Sequence, residues 1–397
     1  MIVVYLFYIA CFLLPAVLVA LYYLFLMVAR LLGARAFAPA GANATHTFAI
    51  VIPAHNEEQV ITNVLRSCAG LDYPANKFQV FVIADNCSDC TAEVAGNSPA
   101  TCLERNDAKR TGKGYALEWA FDHILPMGHD AVVVLDADCL IDKHALRVFD
   151  RCLEEGNRVL QANYVLSNPD ASPISYVARV GNVLEYDFFY APKSTLGLAV
   201  MLVGTGMVFH RKVLQDYPWR AYSLVEDAEY TLTLVRHGVH VRFVANVNVF
   251  QAGVDRIQQL TVQRARWAGG TLRLGKQSAV RLIVKGLTTR RILLVDAGLT
   301  LLIVTRPLVF LHLSLTLAMG MLLFLLEPSP ISRVLLGVGI GALAIYSVYL
   351  SVGVAMVGLN VRRIRYLLLA PVVLGIMAIV AVKSGISRRT AWVRTPR

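Results

Sequence analysis

Polarity changes along this chain in long blocks. Residues 1–29 carry no charge, residues from about 47 to 250 alternate short apolar runs with amphipathic stretches, and uncharged blocks return at 307–326 and 334–361. At 1.5 Å per helical residue each uncharged block is long enough to span a ~30 Å hydrocarbon core. The leading block exceeds a signal-peptide core and has no basic residue ahead of it, so 1–32 reads as a retained transmembrane helix. Glu327-Pro328-Ser329-Pro330 makes a turn between the two later blocks, within a transmembrane region at 292–361. The stretch 366–382 is short and contains Pro371. If it crossed, the basic tail after it would lie outside, against the positive-inside tendency, so 362–397 reads as an interfacial or re-entrant helix with a cytosolic tail.

Between these blocks, 36–255 reads as a cytosolic α/β domain. The apolar runs at 48–53, 78–84 and 131–135 are continuous rather than alternating, as in strands buried on both faces. Helical segments separate them, which predicts a mostly parallel sheet with helices on both faces. Each run ends in polar residues: His55-Asn56-Glu57-Glu58, where a helix begins; Asp85-Asn86-Cys87-Ser88-Asp89; and Asp136-Ala137-Asp138. Ligands of such sheets bind beyond the carboxyl ends of the strands, so Asn56, Glu57, Asp85 and Asp136 converge at one edge. Residues i and i+2 of an extended segment point the same way, which aims Asp136 and Asp138 into one crevice. Paired carboxylates repel unless a cation lies between them, and hard oxygen ligands suit Mg²⁺ or Mn²⁺. A solvated loop explains the pair equally well when it is taken alone.

Four further stretches carry candidate chemistry. Thr111-Gly112-Lys113-Gly114 opens a helix, where Lys113 offers a charge to a phosphate and the glycines allow a ligand or a tight turn. Leu202-Val203-Gly204-Thr205-Gly206-Met207 is a second glycine turn, suited to lying beneath an acceptor or to a simple bend. Glu226 and Asp227 begin a helix running through His237, where a carboxylate is favoured by the helix dipole and a catalytic base is well presented. At 256–291, interfacial helices carry Gln263-Arg264-Ala265-Arg266-Trp267, whose Gln263, Arg266 and Trp267 share one face. Amide, guanidinium and indole suit a diphosphate and a sugar ring, and also suit a helix lying on a membrane surface. Gly337, Gly339 and Gly341 fall inside an apolar block, where they permit close helix packing.

Composition sharpens this picture. The chain of 397 residues is 56% hydrophobic, with a mean hydropathy of +0.55, too apolar for a purely soluble protein. Lys and Arg number 38 against 27 Asp and Glu, a net charge of +11. The excess clusters at the ends of apolar blocks (Arg30 and Arg35; Arg290 and Arg291; Arg362, Arg363 and Arg365; Arg388 and Arg389). That placement fits a lipid bilayer and positive-inside topology, not nucleic acid. Arginines following the first span put the amino terminus outside. The seven cysteines include one CxxC, Cys87 to Cys90, without a second pair to complete a zinc site, and read as reduced, non-catalytic thiols. A permease would share the hydropathy but has no use for ~250 mainly soluble residues carrying ordered carboxylates.

Taken together and in order, Asn56-Glu57, Asp85, Asp136-Ala137-Asp138, Glu226-Asp227 and Gln263-Arg264-Ala265-Arg266-Trp267 resemble the family 2 inverting glycosyltransferases. The likeness is to the membrane-embedded branch of cellulose, hyaluronan, chitin-oligosaccharide and poly-N-acetylglucosamine synthases. It implies a GT-A nucleotide-sugar fold and inverting transfer from a UDP-sugar donor. By the same resemblance Asp85 and Asp136 hold the nucleotide, Asp138 the divalent cation, and Asp227 deprotonates the acceptor, with Glu226 the rival base. Gln263 and Arg266 stabilise the leaving diphosphate and Trp267 stacks on the acceptor. The tail from Trp392 to Arg397 resembles the cytosolic gating segment of some synthases. Two departures stand out: Asn86 replaces a frequent second acidic residue, and about three crossings are fewer than long-chain synthases use. The expectation is a multi-pass enzyme of the cell membrane extending an exported glycan through β-linkages, with a homo-oligomer or an export partner compatible. The alternative is single-sugar transfer to a lipid acceptor, a polyprenyl phosphate or ceramide-like lipid.

Overall fold

The computed structural model describes residues 2–33, 44–303 and 305–386. The first apolar block forms helix α1 (Ile2–Leu31), loosened by one π turn at Ile9–Leu13. Then come β1 (Phe48–Ala54), α2 (Ile61–Ala69), β2 (Phe78–Asp85), β3 (Thr101–Arg105), α3 (Lys113–Ile124) and β4 (Ala131–Val134). They are followed by β5 (Leu140–Ile141), α4 (Ala145–Glu154), β6 (Val159–Leu166), α5 (Pro173–Glu185), β7 (Met207–His210), α6 (Glu226–Arg236) and β8 (Arg242–Gln251). All eight strands lie in one sheet, in the order β3-β2-β1-β4-β7-β6-β8-β5.

The sheet is parallel through β3, β2, β1 and β4, as the continuous apolar runs imply. Beyond β4 it is mixed, because β7 runs antiparallel to both β4 and β6. The glycine turn at 204–206 causes this: it returns the chain into the sheet at the edge where β4 ends, with Met207 beside Val134. The helix expected directly after His55 starts later, at Ile61, because Asn56 adopts a left-handed conformation (φ 57°) that interrupts it.

The C-terminal third is helical. It comprises α7 (Ile257–Thr288), α8 (Ile292–Ile303), α9 (Arg306–Leu326), α10 (Pro330–Val357), α11 (Val361–Leu368) and α12 (Ala370–Ile386). Helix α10 begins earlier than the apolar block suggests, since Ser329 caps it by accepting from the Ser332 amide at 3.1 Å. Among the described residues α1, α9 and α10 are long and apolar enough to cross a membrane. Helices α11 and α12 meet at 46° and are a broken span or a re-entrant pair. The gating tail at 392–397 lies outside the described residues.

Strand alternation divides the core in two. Phe48, Ile50, Ile52, Val82 and Val133 pack one face against α2 and α4. Val51, Phe81, Val132 and Phe209 on the opposite face belong to a core that continues without interruption into Tyr23 and Leu26 of α1 and Tyr346 and Tyr349 of α10. Tyr23 lies 5.3 Å and 4.7 Å from the rings of Tyr346 and Tyr349. Its hydroxyl donates to the Ile303 carbonyl at 3.0 Å, and that of Tyr349 to Leu184 at 2.8 Å, so the buried phenols carry no unmet donor. Lys193 and Asp296, both buried, pair at 3.0 Å and fasten α8 beneath the catalytic sheet.

Close packing of α7 on α8 depends on glycine. A Cβ on Gly298 would lie 2.6 Å from Ile283 Cγ1 and 2.7 Å from the Ala279 carbonyl. By contrast, Gly337 and Gly341 have nothing within 4 Å among the described residues, and of that trio Gly339 alone is packed. Gly298→Ala should therefore destabilise by ~1–3 kcal/mol, whereas Gly337→Ala should be neutral or gain up to ~1 kcal/mol of helix propensity. Thermal unfolding in detergent reads both, and equal melting temperatures for the two variants would contradict this packing.

Candidate active site

At the carboxyl edge of β1, β2 and β4 the chain opens into one cavity of about 1960 Å³. Its walls include Glu57, Asp85, Lys113, Asp136, Asp138, Glu226, Asp227, Gln263, Arg266 and Trp267. Parallel pairing of the three strands brings Asp85 and Asp136 to the same edge.

Asp85 is 5% exposed and pairs with Arg105 at the end of β3. Burial raises its pKa while Arg105 pulls the other way, so the ion pair keeps a carboxylate available in a site that would otherwise neutralise it. Asn86 sits beside it in a left-handed conformation (φ 51°). Its amide donates to Asp85 at 2.9 Å and its carbonyl accepts from the Asp107 amide at 2.8 Å. The residue that departs from the family pattern therefore shapes the loop, and asparagine is one of the few side chains that tolerates such a backbone. Asn56 does similar work: its carbonyl accepts from the Ser88 amide at 2.7 Å, bracing the β1 loop against the β2 loop, and it is not among the cavity walls. Glu57 does line the cavity, and its amide donates to Thr91 Oγ1 at 2.7 Å.

Asp136 and Asp138 face one crevice, their oxygens and Cys139 Sγ lying within 4.8 Å of one another. Burial holds the Cys139 thiol well above its ordinary pKa, which leaves the two carboxylates as the ligands for a hard cation. The Asp138 carboxylate accepts from Gln251 Nε2 at 2.6 Å, and Gln251 in turn accepts from the Tyr164 hydroxyl. The Lys113 ammonium pairs with Asp136 and donates to the Gly204 carbonyl at 2.7 Å. Burial alone would lower its pKa, but Asp136, Glu226 and Asp227 outweigh that and raise it.

The glycine turn supports this cluster from below. Gly204 and Gly206 have φ of +83° and +64°, and a Cβ on Gly204 would sit 3.2 Å from Asp227 Oδ2 and 3.3 Å from Lys113 Nζ. Gln161 braces the turn by accepting from the Val203 amide at 3.0 Å and donating to the Thr205 carbonyl at 2.9 Å. For the other glycine pair the structure supports the turn reading. Gly114 is required by the chain itself, since a Cβ there would lie 2.1 Å from the Ala221 carbonyl; no ligand need be invoked.

Glu226 and Asp227 open α6 at the cavity wall. Desolvation and the neighbouring Glu226 charge push Asp227 up to about 7. Glu226 is raised as well, chiefly by burial, with Lys113 and Arg266 opposing. Arg266 reaches Glu226 because α7 docks closely: a Cβ on Gly270 would meet Val225 Cγ1 at 2.7 Å. Gln263, Arg266 and Trp267 thus face the carboxylates from across the cavity. Arg264, whose guanidinium lies 5.3 Å from the Trp267 ring, lines it too. Sequence reading passed over Gln161, Tyr164, Gln251, Arg264 and Arg306. A polar residue ending the apolar strand β8 was a signal for Gln251, but its partner on β6 is set by sheet order.

The arrangement can do three things chemically: hold a phosphorylated ligand beside paired carboxylates, stabilise negative charge with Arg266, and take a proton at Asp227. Comparisons with known proteins bear on it. Residues 46–270 match the model of the family described as "Glycosyltransferase like family 2". "Probable glycosyltransferase YdaM" of Bacillus subtilis is 23% identical over 230 residues, covering 56% of this chain and 54% of the relative. "Beta-monoglucosyldiacylglycerol synthase" of Trichormus variabilis is 26% identical over 231 residues, 56% of this chain and 48% of the relative. The match thus spans about half the length of these curated relatives. Among solved structures, mannosyltransferase PcManGT from Pyrobaculum calidifontis, in complex with GDP-Man and Mn²⁺, covers 96% of this chain and 99% of its own at a TM-score of 0.61 and 19% identity. That likeness gives the fold, a GT-A-like sheet with helices around it and apolar helices attached. With more than half its length matched by the family model, the chain belongs to the glycosyltransferase-like family 2.

Proposed function

We propose that this chain is a membrane-bound, inverting glycosyltransferase that moves a single hexose or N-acetylhexosamine from a nucleoside-diphosphate sugar, UDP-linked by resemblance, to a lipid acceptor. What supports this reading is the shape of one cavity. It runs from the carboxylate cluster to a wall of Leu184, Leu350, Val354, Leu367, Leu374 and Met377, contributed by α5, α10, α11 and α12. An apolar extension of a polar site, bounded by a membrane helix, suits a ligand with a sugar-accepting head and a hydrocarbon tail. One relative is, by name, a synthase of a glucosylated diacylglycerol. The second reading, extension of an exported glycan, draws on the likeness of Glu226-Asp227 and Gln263 to Trp267 to polysaccharide synthases.

In this reading Asp85 and Asp136 bind the nucleotide, with Glu57 and Lys113 lining its site and Asn56 bracing the loop. Asp138 and Asp136 would hold Mg²⁺ or Mn²⁺, which when bound supplies positive charge to the leaving diphosphate. PcManGT, of the same fold, holds Mn²⁺ with its nucleotide sugar. Gln263 and Arg266 donate to the diphosphate, Trp267 stacks on the acceptor, and Asp227 takes the proton of the acceptor hydroxyl. A base with a pKa near the working pH is the best compromise between being deprotonated and being strong. The catalytic domain faces the cytosol of a cell whose plasma membrane holds α1, α9 and α10, with the amino terminus outside.

Three outcomes follow from this reading. Asp138→Asn should abolish Mn²⁺-dependent transfer from a nucleotide-sugar panel while the variant melts like wild type; full turnover there, or in wild type with excess EDTA, refutes the metal site. In sealed right-side-out vesicles an impermeant maleimide should leave the exposed Cys90 thiol untouched, and labelling from outside reverses the topology. Asp227→Asn should lower kcat by ~10²–10⁴ with nucleotide affinity within a few-fold. The base must be deprotonated, so wild-type kcat should fall about tenfold per pH unit below its pKa, near 7, and level off above it. Glu226→Gln removes the adjacent negative charge and should shift that limb to lower pH. If Glu226→Gln is dead and Asp227→Asn active, the roles are exchanged.

A further inference from the structure

The apolar lobe of the cavity is not purely apolar. Arg264 of α7, Arg306 of α9 and Glu185 of α5 also line it. Arg306 pairs with Glu185 at 3.1 Å. Arg264 forms no ion pair among the described residues, although the same Glu185 charge acts on it, and its guanidinium lies 5.3 Å from the Trp267 ring. Among these three residues, two guanidinium groups against one carboxylate leave one positive charge in surplus. The nearby Asp187 does not offset it, because that carboxylate answers to Arg30 and Arg179.

The hydrogen-bond inventory points the same way. The Nε atoms of both Arg264 and Arg306 are buried without a hydrogen-bond partner among the described residues. A charged donor buried without a partner costs far more than one facing water. Two guanidinium groups from different helices that line one lobe suit an anionic ligand group that the chain does not itself supply. This basic pair also lies close to the reacting carboxylates. Tyr190 feels the charges of Glu185, Arg306 and Asp227 together, and Tyr164 those of Asp136, Asp138 and Arg264.

Resting on the lipid-acceptor reading, we infer that Arg264 and Arg306 bind the phosphodiester of an acceptor phospholipid whose free headgroup hydroxyl reaches Asp227. The phosphodiester carries the single negative charge that matches the surplus, and its non-bridging oxygens accept forked N–H donors. A phosphate monoester approaches two negative charges at neutral pH and overshoots the surplus. It also lacks the hydroxyl proton that gives Asp227 something to do. A neutral lipid such as diacylglycerol supplies the hydroxyl but leaves both arginines unmatched. The bonding change is ordinary transfer: the headgroup oxygen bonds to the anomeric carbon, the nucleoside diphosphate departs with the bond electrons, and the hydroxyl proton goes to Asp227.

The test uses the full chain in phosphatidylcholine vesicles doped with phosphatidylglycerol, diacylglycerol or a polyprenyl phosphate, given labelled UDP- and GDP-sugars with Mn²⁺. Label should enter phosphatidylglycerol in preference to the other two. Arg264→Gln should raise the apparent KM for that lipid ~10–100-fold, the loss falling on KM far more than on kcat, and Arg264→Lys should recover part of it. Arg306→Gln combined with Glu185→Gln, which orphans no carboxylate, should raise KM likewise. Preference for diacylglycerol or for polyprenyl phosphate overturns the phosphodiester site and leaves the lipid-acceptor reading standing. Label in a long polysaccharide, with none in any lipid, removes both. The choice among lipids needs no variant, so it decides even where a substitution fails to fold.

Discussion

Mutual repulsion among carboxylates is the constraint to which the rest of this structure answers. Asp136 and Asp138 come from the end of a strand, Glu226 and Asp227 from the start of a helix, and all line one cavity. Each pair raises the cost of ionising the other, and burial adds to it. Lys113 meets that cost from the first turn of α3, anchored to Asp136 and to the Gly204 carbonyl, and Arg266 approaches Glu226 from α7. Small residues make the approach possible. Gly204 leaves room for Lys113 and Asp227 to share one space, Gly114 lets α3 begin against Ala221, and Gly270 lets α7 lie on Val225.

The second constraint is that the catalytic sheet has no free face. One side carries its own helices. The other shares a core with α1 and α10, so these long apolar helices are structural walls of the sheet domain. Tyr23, Tyr346 and Tyr349 form the joint, and their hydroxyls find backbone carbonyls, which is what makes polar aromatics affordable at such depth. With α1 and α10 placed in the bilayer as proposed, a packed joint of this kind would fix the distance between the bilayer and Asp227, which a flexible tether would leave variable.

Much of this was legible in the sequence because it is local. Continuous apolar runs ending in Asp85 and Asp136 announced buried parallel strands and the edge where ligands bind, and the spacing of Gln263, Arg266 and Trp267 announced one helix face. What escaped depends on partners far away in the chain. Gln251 matters because β8 pairs with β6 and brings Tyr164 within reach. Gln161 matters because β7 inserts antiparallel beside β6. Arg306 reads in the sequence as the basic flank of an apolar block, and only the docking of α9 against α5 turns it towards Glu185. Asn56 and Gly114 sit in motifs that suggest a ligand, and local geometry also occupies Asn56 with Ser88 and holds Gly114 against Ala221, the tight-turn alternative for the glycine.

On the proposed reading, a base at the junction of a polar and an apolar lobe also governs how water is handled. A glycosyl donor activated by metal and arginine is open to attack by any hydroxyl, and water is the most abundant one. Apolar walls from α5, α10 and α12 leave water few hydrogen-bonded positions on the acceptor side, while desolvation holds Asp227 near 7 so that it is protonated as often as not at neutral pH. A ligand bearing its own hydroxyl into that lobe displaces the remaining water and brings the polar partner that the carboxylate lacks. Burial and basicity are therefore two consequences of one arrangement: the same walls that would admit the tail of the proposed acceptor raise the pKa of the carboxylate proposed to activate its head.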